Sequence, residues 1–156
     1  MINLCFKMLN EKAILPQKAH ETDAGWDLYA IEDTLIYPHC QTKVDTGIAV
    51  QASFVDKKDS EKWLIFLQIE GTSGNAVKLG LFPIAGIIDQ NYTGEIGVVL
   101  CNHTNDPVQI KAGKKIAQLI PKCIPKVSNV EILKPGEDFE QTDRGSAGFG
   151  STGIAH

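Results

Sequence analysis

Hydrophobic and polar residues along this chain mostly alternate or fall into short apolar blocks, without a sustained helical period. The most regular of these patterns lie at residues 63–69, 95–102 and 115–120, and they are typical of strands with one or both faces buried. Turn-forming residues separate the blocks at spacings of roughly 8–12 residues, as in sandwiches and barrels. The pattern therefore predicts an all-β fold.

Less regular segments complete the expected secondary structure. Residues 43–50 predict a strand with an irregularity at a glycine, residues 108–110 a short strand, and residues 127–133 are a candidate for one more. Residues 74–78 favour one or two helical turns. The charged run at residues 56–62 is expected to form a solvated hairpin loop.

The sequence changes character near its C-terminal end. From residue 135 onward it is polar and rich in glycine, which leaves little apolar surface to bury. We therefore expect one β domain over residues 1–134 and a mobile C-terminal arm over residues 135–156.

The composition is that of one folded domain with a mildly acidic surface. The chain has 156 residues, of which 43% are hydrophobic and 22% charged, and its 15 Lys and Arg against 19 Asp and Glu give a net charge of −4. A duplex-binding surface needs clustered cations, so we expect no nucleic-acid partner. A small anionic ligand remains compatible, because a few donors or a metal ion suffice locally.

The sequence also favours an intracellular, cytoplasmic location. If the source is eukaryotic or viral, the expected compartment is the nucleus or the host cell. Lys7 interrupts the N-terminal apolar stretch, and all apolar runs are shorter than the roughly 20 residues that span a bilayer, so no membrane partner is expected. The four cysteines form no CxxC pair and are expected to be reduced and mostly buried. They are Cys5, Cys40, Cys101 and Cys123.

Common catalytic signatures are missing from the sequence, which has no P-loop, HExxH or GxSxG motif. Four polar stretches that contain glycine remain, at residues 22–28, 71–75, 86–95 and 144–153. Taken singly, the first three fit turns or a hairpin tip, and the fourth fits a linker. The fourth also fits a flap that closes on a planar anion, because Arg144 can bind phosphate oxygens and Phe149 can stack on a ring.

Together, in this order and spacing, these stretches resemble the trimeric dUTPase family over residues 18–153. The five family motifs match residues 24–28, 72–74, 86–95, 115–119 and 144–153. The resemblance implies a jelly-roll-like β-barrel or sandwich that assembles as a homotrimer with three sites at subunit junctions. The implied reaction converts dUTP and water to dUMP and pyrophosphate with Mg²⁺ on the triphosphate. It would keep uracil out of DNA and supply dUMP for dTMP synthesis.

The resemblance assigns the chemistry to two acids. Asp89 matches the carboxylate that orients and deprotonates the attacking water, which is the role of a general base. Asp27 matches the acid of the first motif, which supports the water shell of the metal. Since Mg²⁺ keeps several waters and can be held by phosphates, no direct protein ligand to it is expected.

The same resemblance implies the substrate contacts. Tyr92 matches the aromatic residue on which deoxyribose packs, leaving no room for a 2′-hydroxyl. Uracil is read by main-chain groups of the third motif, where Ile87 and Ile88 lie. The resemblance also implies that Phe149 covers the uracil. Contacts to phosphates are implied for Ser73, Gly74, Gln118, Arg144, Gly150, Ser151 and Thr152.

Four positions depart from the family pattern, among them Asn91 where aspartate is common and Trp26 where tyrosine is usual. The second motif has Thr72 where arginine is usual, and the fourth has Lys115 where arginine is frequent. Loss of one charge-assisted contact costs about 1.5–3 kcal/mol. Lys62, Lys78 and Lys115 are the candidates to replace the missing cation.

Other functions stay open at this stage. A nucleotide-sensing or regulatory homologue with weak turnover would fit the threonine at position 72. The dCTP deaminases share the fold but place a glutamate base where this chain has only the apolar residues 98–100, so they are less favoured. A capsid-like jelly roll accounts for neither Asp89 nor the tail at residues 144–153.

Overall fold

Ten strands and two short helices are formed within residues 1–143, 145 and 146, which the computed structural model describes. The strands are β1 (Ile2–Met8), β2 (Trp26–Tyr29), β3 (Thr34–Ile36), β4 (Gln41–Phe54), β5 (Trp63–Glu70), β6 (Leu81–Ile84), β7 (Ile87–Asp89), β8 (Glu95–Asn102), β9 (Val108–Ile110) and β10 (Lys115–Pro125). The helices are α1 (Asp59–Lys62) and α2 (Ser73–Leu79).

Two four-stranded antiparallel sheets form the body of the fold. Their strand orders are β1-β4-β8-β6 and β2-β10-β5-β7, and β3 and β9 form a separate pair. The core lies on inward-facing apolar positions such as Val98 and Leu100 of the first sheet and Leu67 and Leu119 of the second, which are all buried. The all-β, jelly-roll-like prediction is confirmed, and the sheets do not close into a barrel.

The clearest alternation in the sequence predicts β8 at its observed bounds. In β8, buried and half-buried residues alternate from Glu95 to Asn102 without exception, because one face packs on the core. Strands β4, β5 and β10 extend beyond the predicted segments at one or both ends. The predicted strand at residues 127–133 is wrong, since these residues have no regular structure and lie exposed.

The charged run at residues 56–62 is not a hairpin loop. It contains α1 and connects β4 of the first sheet to β5 of the second, so the strands that it joins are not partners. Residues 74–78 do lie in a helix, and its seven residues, Ser73–Leu79, make about two turns, as predicted.

The expected irregularity in β4 occurs at Gly47. Its φ of 66° interrupts the pairing with β8 between Asp45 and Ala49, and its N–H donates to Glu95 Oε1 at 2.7 Å. An added Cβ would lie 2.9 Å from Ala13 Cβ in addition to the backbone strain. The irregularity therefore ties β4 to Glu95, the last residue of the third motif.

The cysteines are more exposed than expected. Cys5, Cys40 and Cys123 are exposed and Cys101 is half-buried, and all four are free thiols. Cys5 lies on edge strand β1, and Cys123 lies in the exposed final part of β10, so both project outside the two-sheet core.

The chain divides into two units, Met1–Lys126 and Val127–His156. The described part of the second unit has neither helix nor strand, and its local order is limited to turns such as Lys134–Glu137. The mobile arm over residues 135–156 stays a prediction. No helix among the residues described has the length and apolar character needed to cross a membrane.

Candidate active site

A buried carboxylate joins the first and fourth motifs. Asp27 on β2 is only 6% exposed, and both of its oxygens are engaged. Lys115 Nζ donates to Oδ2 at 3.1 Å, and Gln118 Nε2 donates to Oδ1 at 3.2 Å. A buried charge needs such partners, so these two side chains make an ionised Asp27 tolerable inside the fold.

Gly25, in the same motif, allows the two strands to approach. A Cβ at this position would lie 3.0 Å from Gln118 Cβ and 3.1 Å from Ile120 Cγ1. The glycine of the first motif therefore keeps β2 against the part of β10 that carries Gln118.

The second motif forms the beginning of α2. Thr72 is the N-cap, and its Oγ1 accepts the N–H of Asn75 at 3.3 Å. The helix ends at Gly80, which has the left-handed φ of 60° that a C-terminal cap requires. Position 72 thus has a capping role in place of the cation that arginine supplies in the family motif.

Gly74 is not explained by packing within the protein. A Cβ built there meets nothing within 4 Å, and its φ lies outside the left-handed region. Ser73 and Gly74 are both exposed at the start of α2. The open space is where a ligand or a second copy of the chain can approach the backbone closely.

The second and fourth motifs line one concave surface, which we call the lysine groove. Its volume is about 450 Å³. Its lining residues are Gly71, Thr72, Ser73, Gly74, Asn75, Lys78, Leu79, Lys114, Lys115 and Gln118. Three lysines therefore face the groove, and Lys62 is not among its lining residues. Such a surface favours a small polyanion despite the negative net charge of the chain.

The third motif passes from one sheet to the other. Strand β7 pairs with β5 in the second sheet, whereas β8 belongs to the first, so residues 86–95 are not a two-stranded hairpin. A turn follows Asp89, whose carbonyl accepts the N–H of Tyr92 at 3.0 Å. Gln90 Oε1 accepts the N–H of Ile65 at 3.1 Å and anchors this turn to β5.

Tyr92 is held in place by its own loop. Its hydroxyl donates to the carbonyl of Glu95 at 2.9 Å, and its ring lies over Gly94, where a Cβ would be 2.6 Å from the phenolic oxygen. The side chain remains 49% exposed. A fixed, half-exposed aromatic ring is suited to packing against a sugar.

A second cavity of about 260 Å³, the third-motif pocket, brings together Ile87, Ile88, Asp89 and Tyr92. Lys43 also lines it. The ion pair between Lys43 Nζ and Asp45 Oδ1, at 2.6 Å, raises the pKa of Lys43 above its usual value.

Within one protomer the predicted site is divided in two. Along β5, Asp89 lies opposite Phe66, and Gln118 lies opposite Glu70. The offset of four residues along β5 corresponds to about 13 Å, and β7 and β10 lie two strand spacings apart, about 10 Å. Together these distances place the Cα atoms of Asp89 and Gln118 about 16 Å apart. Both side chains face the same side of the sheet. Asp89 therefore does not meet the lysine groove of its own chain.

The predicted contacts of the tail lie outside the residues that the structure describes. They are Arg144, Phe149, Gly150, Ser151 and Thr152. Across residues 1–143, 145 and 146, no cluster of three or more His, Cys, Asp or Glu side chains has the arrangement of a metal site.

The model of the dUTPase family matches residues 11–153, which include all five motifs. The chain belongs to the dUTPase family. It is 41% identical to the deoxyuridine 5'-triphosphate nucleotidohydrolase of Clostridium tetani, over 96% of each chain. The enzyme of the same name from Clostridium novyi is 37% identical over 98% of this chain and 100% of its own length.

Solved dUTPases share the fold. A mutant of the dUTPase of phage 80α has a TM-score of 0.75 at 26% identity, covering 96% of this chain and 98% of its own. A mutant of the Staphylococcus bacteriophage 80alpha dUTPase with dUpNHpp has a TM-score of 0.77 at 23% identity, covering 97% and 99%. The dUTPase of phage phi11, for which coordination of a structural Mg(II) ion is described, has a TM-score of 0.68 at 24% identity, covering 89% of this chain and 99% of its own.

Reasoning from the sequence missed three residues that the structure brings to these surfaces. They are Asn75 and Lys114 in the lysine groove and Lys43 in the third-motif pocket. Lys114 directly precedes the fourth motif and Asn75 directly follows the second, so their positions gave a local signal. Lys43 gave none, since it reaches the pocket only through the pairing of β4 with β8.

Proposed function

We propose that this protein is a dUTP diphosphatase, which hydrolyses dUTP to dUMP and pyrophosphate. The observation that carries the proposal is the match of the family model to residues 11–153, a span that contains every motif of the site. Curated relatives named deoxyuridine 5'-triphosphate nucleotidohydrolase support it at 41% and 37% identity over nearly their whole length.

The lysine groove is suited to the triphosphate. Lys78, Lys114 and Lys115 supply positive charge, and the exposed backbone at Ser73 and Gly74 leaves room for phosphate oxygens. The three lysines compensate for the arginine that Thr72 replaces. This supports an enzyme with substantial turnover over a sensor that only binds.

The residues at the groove fit Mg²⁺ that is carried by the substrate. Both oxygens of Asp27 are engaged by Lys115 and Gln118, so this acid is placed to support the water shell of the ion and not to bind it directly. Mg²⁺ prefers oxygen ligands and keeps several waters, which phosphates and solvent supply. When bound, the ion neutralises negative charge on the phosphates.

Asp89 is the proposed general base. Its exposed carboxylate, at the end of β7, accepts a proton from water while the water oxygen bonds to the α-phosphorus. The bond between the α-phosphorus and the bridging oxygen to the β-phosphate breaks, and pyrophosphate leaves with that oxygen. Most of the rate gain comes from positioning and charge neutralisation, since the protein forms no covalent bond.

The third-motif pocket is proposed to hold the nucleoside. The ring of Tyr92, fixed over Gly94, would pack on the deoxyribose and exclude a 2′-hydroxyl. Backbone groups at Ile87 and Ile88 would read the uracil. A site built of fixed polar groups rejects analogues that leave those groups unpaired, which supports selection of uracil over cytosine.

Assembly of a homotrimer would complete the site. The separation of about 16 Å between Asp89 and Gln118 within one chain is too long for both to contact one α-phosphate region. A neighbouring copy that presents its third-motif pocket to the lysine groove would bring these groups together. Arg144, Phe149, Gly150, Ser151 and Thr152 are proposed to close over the nucleotide once it is bound.

The proposal is tested by release of pyrophosphate from dUTP, UTP, dTTP and dCTP with Mg²⁺. We expect turnover of dUTP at least about a hundredfold more efficient than of the other three. Binding of dUTP without turnover would favour the sensing homologue, and ammonia released from dCTP would favour a deaminase.

The Asp89→Asn variant tests the role of the proposed base. It keeps the side-chain volume but cannot accept the proton, so turnover should fall by about a hundredfold or more while dUTP still binds. Activity equal to that of the unchanged protein would remove Asp89 from the mechanism.

A further inference from the structure

One buried amide ties the second motif to the fourth. Asn75 is only 6% exposed, and its Nδ2 donates to the carbonyls of Lys115 and Ile116, at 3.1 Å each. Its backbone N–H donates to Thr72 Oγ1. Asn75 therefore joins the beginning of α2 to the beginning of β10, at the wall of the lysine groove.

The carbonyls that Asn75 binds belong to a β-bulge. Lys115 lies opposite Tyr29, and Ala117 lies opposite Leu28, so β10 has one extra residue, Ile116, in its pairing with β2. A bulge interrupts the hydrogen-bonded ladder and leaves backbone groups in need of other partners. The Asn75 amide supplies them.

The bulge decides which side chains reach Asp27. In a regular strand, residues 115 and 118 would point to opposite faces, because side chains alternate with a period of two. The extra residue shifts this alternation, and both Lys115 and Gln118 contact the Asp27 carboxylate. Without the bulge, one of the two contacts would be lost.

We infer that Asn75 is a positioning residue for the proposed hydrolysis of dUTP. It holds the bulge in β10 that brings Lys115 and Gln118 together on Asp27, beside the phosphates. This inference rests on the proposed function for its kinetic consequence. Its structural consequence, the placement of Gln118, does not depend on any ligand.

A matched control exists elsewhere in the fold. Asn102 is 1% exposed, and its Nδ2 donates to the carbonyls of Ile36 and Asp106, at 3.1 Å and 2.8 Å. Asn75→Ala and Asn102→Ala thus each remove two side-chain hydrogen bonds to backbone carbonyls, and Asn102→Ala also removes the two bonds that its Oδ1 accepts from the N–H and hydroxyl of Thr104. A general loss of stability should therefore be at least as large in Asn102→Ala as in Asn75→Ala.

The kinetic test compares dUTP turnover of the two variants in the full-length protein with Mg²⁺. Asn75→Ala should lower kcat/KM by about tenfold to a hundredfold, the effect of misplacing binding groups by about 1 Å. Asn102→Ala should stay within about twofold of the unchanged protein. Equal losses in both variants would overturn the inference. If Asn75→Ala does not fold, Asn75→Ser, which keeps one donor, should give an intermediate loss.

A double-mutant cycle separates positioning from general damage. If Asn75 acts through Lys115 and Gln118, then Asn75→Ala in a background that carries both Lys115→Ala and Gln118→Ala should cost no more than about a further twofold. Full additivity of the two losses would mean that Asn75 does not act through the bulge.

An NMR measurement separates this inference from the proposed function. The side-chain amide resonances of Gln118 should shift in Asn75→Ala and stay in place in Asn102→Ala, with no nucleotide present. If the unchanged protein fails to hydrolyse dUTP while this shift occurs, the proposed function is wrong and the structural inference stands. An unshifted Gln118 would refute the inference whatever the turnover.

Discussion

Glycines of the motifs serve two different purposes, which the residue environments distinguish. Gly25 and Gly94 are required by neighbouring side chains, since a Cβ at either position would lie within 3.0 Å of Gln118 or Tyr92. Gly74 has no such neighbour. The first two therefore shape the site from inside, whereas Gly74 keeps space for something outside the chain.

Gly94→Ala should weaken selection against UTP. The new Cβ would lie 2.6 Å from the Tyr92 hydroxyl in the present arrangement, so the ring must move away from its place over residue 94. The ratio of kcat/KM for dUTP over UTP should fall by about tenfold, since a displaced ring no longer excludes the 2′-hydroxyl. An unchanged ratio would show that Tyr92 does not determine sugar selection. Thr93→Ala, next in the same loop, serves as the control.

At the scale of elements, α2 depends on its cap. Thr72 provides the side-chain oxygen that accepts the Asn75 N–H, and Gly80 ends the helix after only seven residues. So short a helix has no stability of its own and needs its cap and its contact with β10.

Thr72→Ala should lower the free energy of unfolding by about 1 kcal/mol, the usual value of an N-cap side chain. Thr72→Ser keeps the accepting oxygen and should lose much less. Urea denaturation of the two variants would measure the difference. If serine and alanine destabilise the fold equally, the hydroxyl contributes through something other than capping.

The turn before β10 is anchored by an ion pair. Lys111 Nζ donates to Asp33 Oδ2 at 2.6 Å, and the N–H of Ala112 donates to Oδ1 at 2.9 Å. These hydrogen bonds, above all that of Lys111, lower the pKa of Asp33 below its usual value. Because this pKa is lower in the folded state, the Asp33 carboxylate stabilises the fold above pH 3.8. Its contribution to stability is lost as the pH falls through the folded-state pKa.

Asp33→Asn should therefore be slightly less stable than the unchanged protein near neutral pH, and the two should converge below pH 3.8. The pair is well exposed, so the effect is small. Thermal unfolding of both proteins across this pH range is the measurement. A difference that persists undiminished in acid would show that the carboxylate charge is not the cause.

Sequence pattern predicted strands β4, β5, β8, β9 and β10, but it predicted neither the connections between strands nor the remaining strands β1, β2, β3, β6 and β7. Strand β8 was predicted at its observed bounds because its alternation reports one buried face directly. The bulge at Ile116 was not predicted, because it exists only in the pairing of β10 with β2. The same holds for residues 56–62, whose charges indicate exposure but not which sheets they join.

In the candidate site, too, local sequence identified some residues and only tertiary contacts revealed others. The motif residues were identifiable in sequence by their resemblance to the family, as the match over residues 11–153 confirms for the family itself. The amide of Asn75 and the lysine at position 43 reach the site only through tertiary contacts. Local sequence carries no measure of such contacts, so neither role could be predicted.

For the whole molecule, the proposed sharing of sites between chains predicts complementation between two variants of low activity. Asp89→Asn and Gln118→Ala damage the two separated halves of the site. Refolded together in equal amounts, they should recover about a quarter of the normal activity, since random assembly gives about that share of sites with both halves intact. Each variant alone is the control. No recovery in mixed oligomers would place both residues in a site within one chain.

The distance between Asp89 and Gln118, together with the proposed trimer, also determines how the reaction should depend on enzyme concentration. In the proposed trimer, a chain diluted until it separates from its copies would lack a complete catalytic centre. The initial rate should then rise more steeply than the first power of protein concentration at high dilution, and become proportional to it once assembly is complete.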